Sequence, residues 1–235
     1  VAYKADEAVA VFSLEMPAEQ LIQRVICSAG SLKAESLRSG AILKESNERY
    51  YAAADKVSKC NLYIDDTPGI RVGEIAAKCR RLHREHGLKM IIIDYLQLIS
   101  GPANSKESRQ QEVSDISRQL KMIARELSVP VIALSQLSRS VEKRDNKRPV
   151  LSDLRESGAI EQDADIVSFI HREDYQDPKK EAETQGATDI IIAKHRNGAL
   201  ADIRLVFLKQ YSKFANPARG DQQVNPLEAI KDVRT

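Results

Sequence analysis

Four apolar runs stop on residues that can act on a phosphate group. VFSLE finishes on Glu15, IIIDY passes through Asp94, VIALSQ reaches Ser135 and Gln136, and IIIAKHR closes on Lys194, His195 and Arg196. In open parallel sheets ligands bind outside the carboxyl ends of the strands, so these positions are the first to inspect. A carboxylate at the tip of a buried strand can hold the hydration shell of Mg2+, a cation that prefers oxygen ligands and keeps several waters. Taken alone, Asp94 reads equally well as a carboxylate that caps the following helix or pairs with a neighbouring base. Taken together, the four ends supply the parts for nucleoside triphosphate hydrolysis. Glu15 can orient and deprotonate the attacking water, Asp94 can position the metal, and Gln136 can sense the γ-phosphate. Lys194 and Arg196 are two apart on an expected strand and so point to one side. Two cations placed together can stabilise charge on the transferring phosphoryl group.

The elements that must carry these residues are short and β-rich: residues 8–14, 61–66, 90–96, 129–136, 164–171, 189–195 and 201–208. Runs such as MIII lack alternation, which predicts strands covered on both faces, as in a parallel sheet between helices. Helical patterns lie between the earlier strands. Residues 17–30 open with Pro17, suited to a first turn, and end on Gly30. Residues 71–87 place Val72, Ile75, Ala76, Cys79 and Leu82 on one stripe and end on Gly87. Residues 107–129 do the same with Val113, Ile116, Leu120, Ile123, Ala124 and Leu127. Strands alternating with helices predict a doubly wound α/β fold, a mostly parallel twisted sheet flanked by helices. The last two runs, joined by RNGALA, predict an antiparallel hairpin at its edge. Residues 101–108 and the polar stretch 138–163 fit no element, and long loops of that kind in compact domains are usually functional or disordered.

Composition narrows the class. The 235 residues carry 36 basic and 34 acidic side chains, a net charge of +2, so the average says little about partners. Basic residues do cluster at 78–89 and 138–149, where they either follow a phosphate backbone or form a solvated face. The longest apolar runs fall short of the about 20 residues a membrane span needs, and no basic-then-apolar leader opens the chain, so a cytoplasmic protein with no membrane partner is expected. Cys27, Cys60 and Cys79 are three, far apart and without CxxC spacing, which supports neither a disulfide framework nor a zinc site.

FSLEMPAEQLIQR, IIIDYLQLI, VPVIALSQLSRSVEKR, KRPVLSDLRESGAIEQDADIV and IIIAKHRNG, in this order, resemble the successive motifs of the C-terminal RecA-like motor domain of the DnaB-type bacterial replicative helicases. The likeness runs from about Val9 to Phe214. It implies a RecA-like P-loop NTPase core over residues 1–214, with 215–235 as a tail. It further implies ATP and Mg2+ as cofactors, Glu15 as the catalytic glutamate, Asp94 as the metal-associated acid, and Gln136 as the sensor linking nucleotide state to DNA-binding loops. Lys194 and Arg196 resemble fingers that reach the neighbouring subunit's nucleotide site, which implies a homohexameric ring. Arg155, Glu156 and Gly158 resemble the loop that holds the single-stranded DNA backbone, Arg155 by charge and the other two by their amides. Arg24 corresponds to a nucleotide-proximal position, or is a helix-surface cation. Primase and a helicase loader are the partners the resemblance implies. One part departs from the family: the phosphate loop G-x-x-x-x-G-K-[ST] occurs nowhere in the chain. The chain is therefore expected to start past that loop, and as written to hydrolyse nucleotide negligibly. Two other functions fit the same residues: another RecA-type DNA-dependent ATPase, or a catalytically inactive module that binds replication partners.

Overall fold

The isoleucine-rich runs form strands because β-branched side chains pack well on a pleated surface covered by helices. The computed structural model describes residues 1–35, 44–101, 108–154, 158–172 and 186–217. In chain order the elements are α1 (Ala2–Ala5), β1 (Val9–Ser13), α2 (Ala18–Gly30), α3 (Lys44–Ser58), β2 (Leu62–Asp65), α4 (Val72–His86), β3 (Met90–Asp94), α5 (Arg109–Leu127), β4 (Val131–Ala133), α6 (Gly158–Asp163), β5 (Ile166–His171), β6 (Ala187–His195), β7 (Ala201–Leu208) and β8 (Lys213–Ala215). They fall into two units: Val1–Gln23, Ala54–Ser140 and Leu151–Ala164 in the first, and Arg24–Ala53, Val141–Val150 and the chain from Asp165 in the second.

The first unit is built on a parallel sheet in the order β2-β1-β3-β4. All five residues of β1 are buried, and in β3 Ile91 and Ile93 are buried while Met90, Ile92 and Asp94 are half-buried. The expected stripes on α4 and α5 share one core with the sheet: Val72, Ile75, Ala76 and Cys79, with Val113, Ile116, Leu120, Ile123 and Leu127, pack in the cluster that holds Ala10, Phe12, Ile91 and Ile93. Full burial of one such isoleucine stabilises by roughly 1.5–3 kcal/mol. Helix α4 stops where Gly87 takes φ +65°, a left-handed conformation that side chains with a Cβ disfavour, and its amide donates to the His83 carbonyl.

The second unit carries an antiparallel sheet in the order β5-β6-β7-β8. The expected hairpin is β6–β7, but it is the middle of four strands. β8 ends on buried Ala215, and the Phe214 ring packs 4.9 Å from that of Phe207. Asp189 and Arg204 are cross-strand partners, and Arg204 donates to both carboxylate oxygens at 2.7 and 2.9 Å. The stretch 138–163, expected as a loop, contains helical turns at Arg139–Lys143 and Leu151–Asp153 and the short α6, which buries Ile160. No described helix is long and apolar enough to cross a membrane.

Candidate active site

Cross-strand register brings the two carboxylates to neighbouring strand ends. Ser13 pairs with Asp94 across β1 and β3, and the Leu14 amide donates to the Asp94 carbonyl at 2.8 Å, so Glu15 sits in the bend one residue beyond that bond. The bend is held on both sides. Buried Ser13 donates its hydroxyl to the Met16 carbonyl at 2.7 Å, and the Ala18 amide at the start of α2 donates to Asp66, just past β2, at 2.9 Å. Glu15 is exposed and Asp94 half-buried, and neither carboxylate has a hydrogen-bond or ion-pair partner among the described residues. Among the described residues Asp94 therefore makes neither the helix-cap bond nor the ion pair that its position also allowed. The turn after it, Leu96–Leu98, has Tyr95 as its cap residue, with no side-chain cap bond.

Gln136 follows β4, next to β3. The backbone ladder carries on past both strands, from the Leu134 amide to the Ile93 carbonyl at 2.9 Å and from the Leu96 amide to the Leu134 carbonyl at 3.0 Å. Beyond it, a side chain takes over: Gln97 donates to Ser135 Oγ at 2.9 Å and accepts the Gln136 amide at 3.3 Å. Gln97 drew no attention in the sequence, because its partners lie 38 and 39 residues away and leave no local pattern.

Lys194 and Arg196 belong to the second unit. β6 ends at His195, so Arg196 lies in the turn rather than on the strand, a correction to the expected spacing of two along one strand. The turn is pinned where the Arg196 amide donates to the Asp165 carbonyl at 2.9 Å and its guanidinium stands 3.6 Å from the Asp165 carboxylate. A Cβ at Gly198 would meet the His195 ring, so a larger residue there would require that ring to move. Arg24 is exposed on α2, and Gly158 is exposed at the start of α6. Arg155 and Glu156 lie outside the described residues.

Several cations of the two basic clusters are paired within the fold. Lys78 pairs with Asp65, and Arg80 grips Glu126 at 2.5 and 2.8 Å. Lys78 and Thr67 outweigh burial and hold the Asp65 carboxyl below the usual range. In the second cluster Arg148 bonds Asp202 and lies 3.8 Å from Asp189.

Among the described residues no three His, Cys, Asp or Glu side chains converge on a metal position. A lone half-buried carboxylate such as Asp94 suits a cation like Mg2+ that arrives with phosphate groups and keeps its waters, and does not suit an all-protein cage.

Against known proteins, the family model for the DnaB-like helicase C-terminal domain matches residues 1–216. The chain is 59% identical over 219 residues to the replicative DNA helicase DnaC of Bacillus subtilis, covering 93% of this chain and 48% of that protein. It is 57% identical to the replicative DNA helicase DnaB of Geobacillus stearothermophilus, with the same coverage. It thus spans about half the length of these relatives. A solved DnaB-like replicative helicase, described together with its interactions with primase, superposes with a TM-score of 0.85 at 45% identity, covering 91% of this chain and 51% of that one.

Proposed function

The chain belongs to the DnaB-like helicase C-terminal domain family, and on that premise we propose that residues 1–214 are the motor domain of a replicative DNA helicase, with 215–235 a tail. The motor hydrolyses ATP to draw single-stranded DNA through a homohexameric ring and so separate the duplex. The observation that carries this reading is the placement of two carboxylates, Glu15 and Asp94, at adjacent carboxyl ends of a parallel sheet, where Ser13 pairs with Asp94.

In the proposed reaction Glu15 orients the attacking water and takes its proton, a role that suits an exposed carboxylate held in a fixed bend. Asp94 would hold the hydration shell of the Mg2+ that accompanies ATP, and the ion would supply charge neutralisation for the transferring phosphoryl group. Gln136 reports the state of the γ-phosphate to the DNA-binding segment. Lys194 and Arg196 act on the nucleotide of the neighbouring subunit, where two cations stabilise the transferring phosphoryl group, and Arg24 takes a nucleotide-proximal position. Arg155 and the amides of Glu156 and Gly158 hold the DNA backbone. Because no phosphate loop of the G-x-x-x-x-G-K-[ST] type occurs in the 235 residues, turnover is a property of the full-length protein, and the chain alone is read as inactive. A helicase loader and primase are the proposed partners, the latter supported by the primase interactions of the related solved helicase.

The test is unwinding of a forked duplex by the full-length protein in the presence of ATP and Mg2+. Single-strand-stimulated ATP turnover together with strand separation supports the helicase. Stimulated turnover without strand separation favours another RecA-type ATPase, and neither activity favours a partner-binding module.

A further inference from the structure

Between the strand end that carries Asp94 and the one that leads to Gln136, the backbone ladder stops at Leu96 and Leu134. The next link is the carboxamide of Gln97. Its Nε2 donates to Ser135 Oγ at 2.9 Å and lies 3.5 Å from the Gln136 carbonyl, while its Oε1 accepts the Gln136 amide at 3.3 Å. A carboxamide offers a donor and an acceptor side by side, so one side chain can hold both main-chain groups of a residue. The Gln136 side chain is left exposed. Gln97 is itself held from behind. Arg109, the first residue of α5, donates to the Gln97 carbonyl, reaches the Ile99 carbonyl at 3.5 Å, and is steadied by Glu112 at 2.6 Å.

The geometry points to Gln97 as a positioning residue that couples the strand end bearing Asp94 to the sensor Gln136, so that the two move as one. Gln97 is assigned to act through Ser135 and Gln136, the residues its carboxamide bonds. The inference rests on the reading of Gln136 as the sensor, and it assigns the route by which a displacement of Gln136 reaches the metal side of the site.

The experiment measures ATP turnover of the full-length protein with and without single-stranded DNA. Gln97→Ala is expected to lower the ratio of stimulated to unstimulated turnover by about tenfold, the usual scale for losing a partner that orients a site residue. The KM for ATP is expected to stay that of the parent. Adding Ser135→Ala to Gln97→Ala is expected to cost nothing more, since both act in one link. Stimulation retained in Gln97→Ala but lost in Gln136→Ala overturns the coupling role alone. Equal losses with and without DNA, or a raised KM, also overturn it, because they mark a structural role. Stimulation retained in Gln136→Ala removes the sensor reading itself, and this inference with it. If Gln97→Ala does not fold, Ser135→Ala alone is expected to lower the ratio in the same direction, and an unchanged ratio there overturns the inference.

Discussion

Ser13 and Asp94 face each other across β1 and β3, the last residue of one strand paired with the last of the other. That pairing sets Glu15 just beyond the carboxyl end of a neighbouring strand from Asp94. It rests on buried isoleucines, above all Ile93, which is fully buried between β1 and β4. Ile93→Ala is expected to lower the unfolding free energy by about 2–5 kcal/mol, through lost transfer energy and the cavity left behind. Urea unfolding checks it, and a change well under 1 kcal/mol would mean that the site can collapse or that β3 is not central.

The antiparallel sheet should be acid-sensitive at Asp189. The Arg204 guanidinium, bonded to both of its oxygens, holds this carboxyl below the usual range, with Arg148 adding to the effect. A lowered native value stabilises the fold above the ordinary Asp value of about 3.9, and that contribution is lost as pH falls through the lowered native value. Asp189→Asn is expected to cost up to about 1 kcal/mol at pH 7, the scale of a solvent-screened ion pair, and to flatten the acid limb of the stability profile. Urea midpoints for both proteins at neutral and acid pH check this. A variant that tracks the parent with a constant offset contradicts it.

The three cysteines should separate by reactivity. Burial pushes the Cys79 thiol up to about 12 and raises that of Cys27, so neither forms thiolate readily. Cys60 is only half-buried, its thiol bonded to the Lys56 carbonyl at 3.3 Å. A colorimetric thiol reagent is expected to titrate one cysteine in the native protein and three after denaturation, with the fast one abolished by Cys60→Ser. Rapid reaction of all three would contradict the core packing.

Strands were legible wherever a β-branched run met a polar stop, which is why β1, β3 and their acids stood out. α3 was not, because its turns are mostly alanine and polar residues, and among its described side chains only Ala53 and Val57 are buried. β8 is three residues long, too short for an alternation to register. The clamp at Gln97 was invisible for a different reason: it joins chain segments far apart in sequence, and no local spacing encodes such a contact. Arg196 shows a different error: β6 ends at His195 as its pattern suggests, and Arg196, read as sharing a face of that strand with Lys194, lies in the turn beyond it.

DNA binding should depend on Arg155. Arg155→Ala in the full-length protein is expected to weaken single-strand binding and to reduce the salt dependence by about 0.7 in log-log slope, the release expected for one phosphate contact. Fluorescence anisotropy over a salt series measures both. An unchanged slope would move the contact to another residue.

The most direct test of the central claim is Glu15→Gln in the full-length protein, followed by single-strand-stimulated ATP turnover and by binding of a fluorescent nucleotide. The amide keeps the shape of the side chain and removes its basicity, so turnover is expected to vanish while nucleotide binding stays at the parent level. Retained turnover would contradict the assignment of Glu15 as the general base, and with it the reading of paired strand-end carboxylates as the hydrolytic centre.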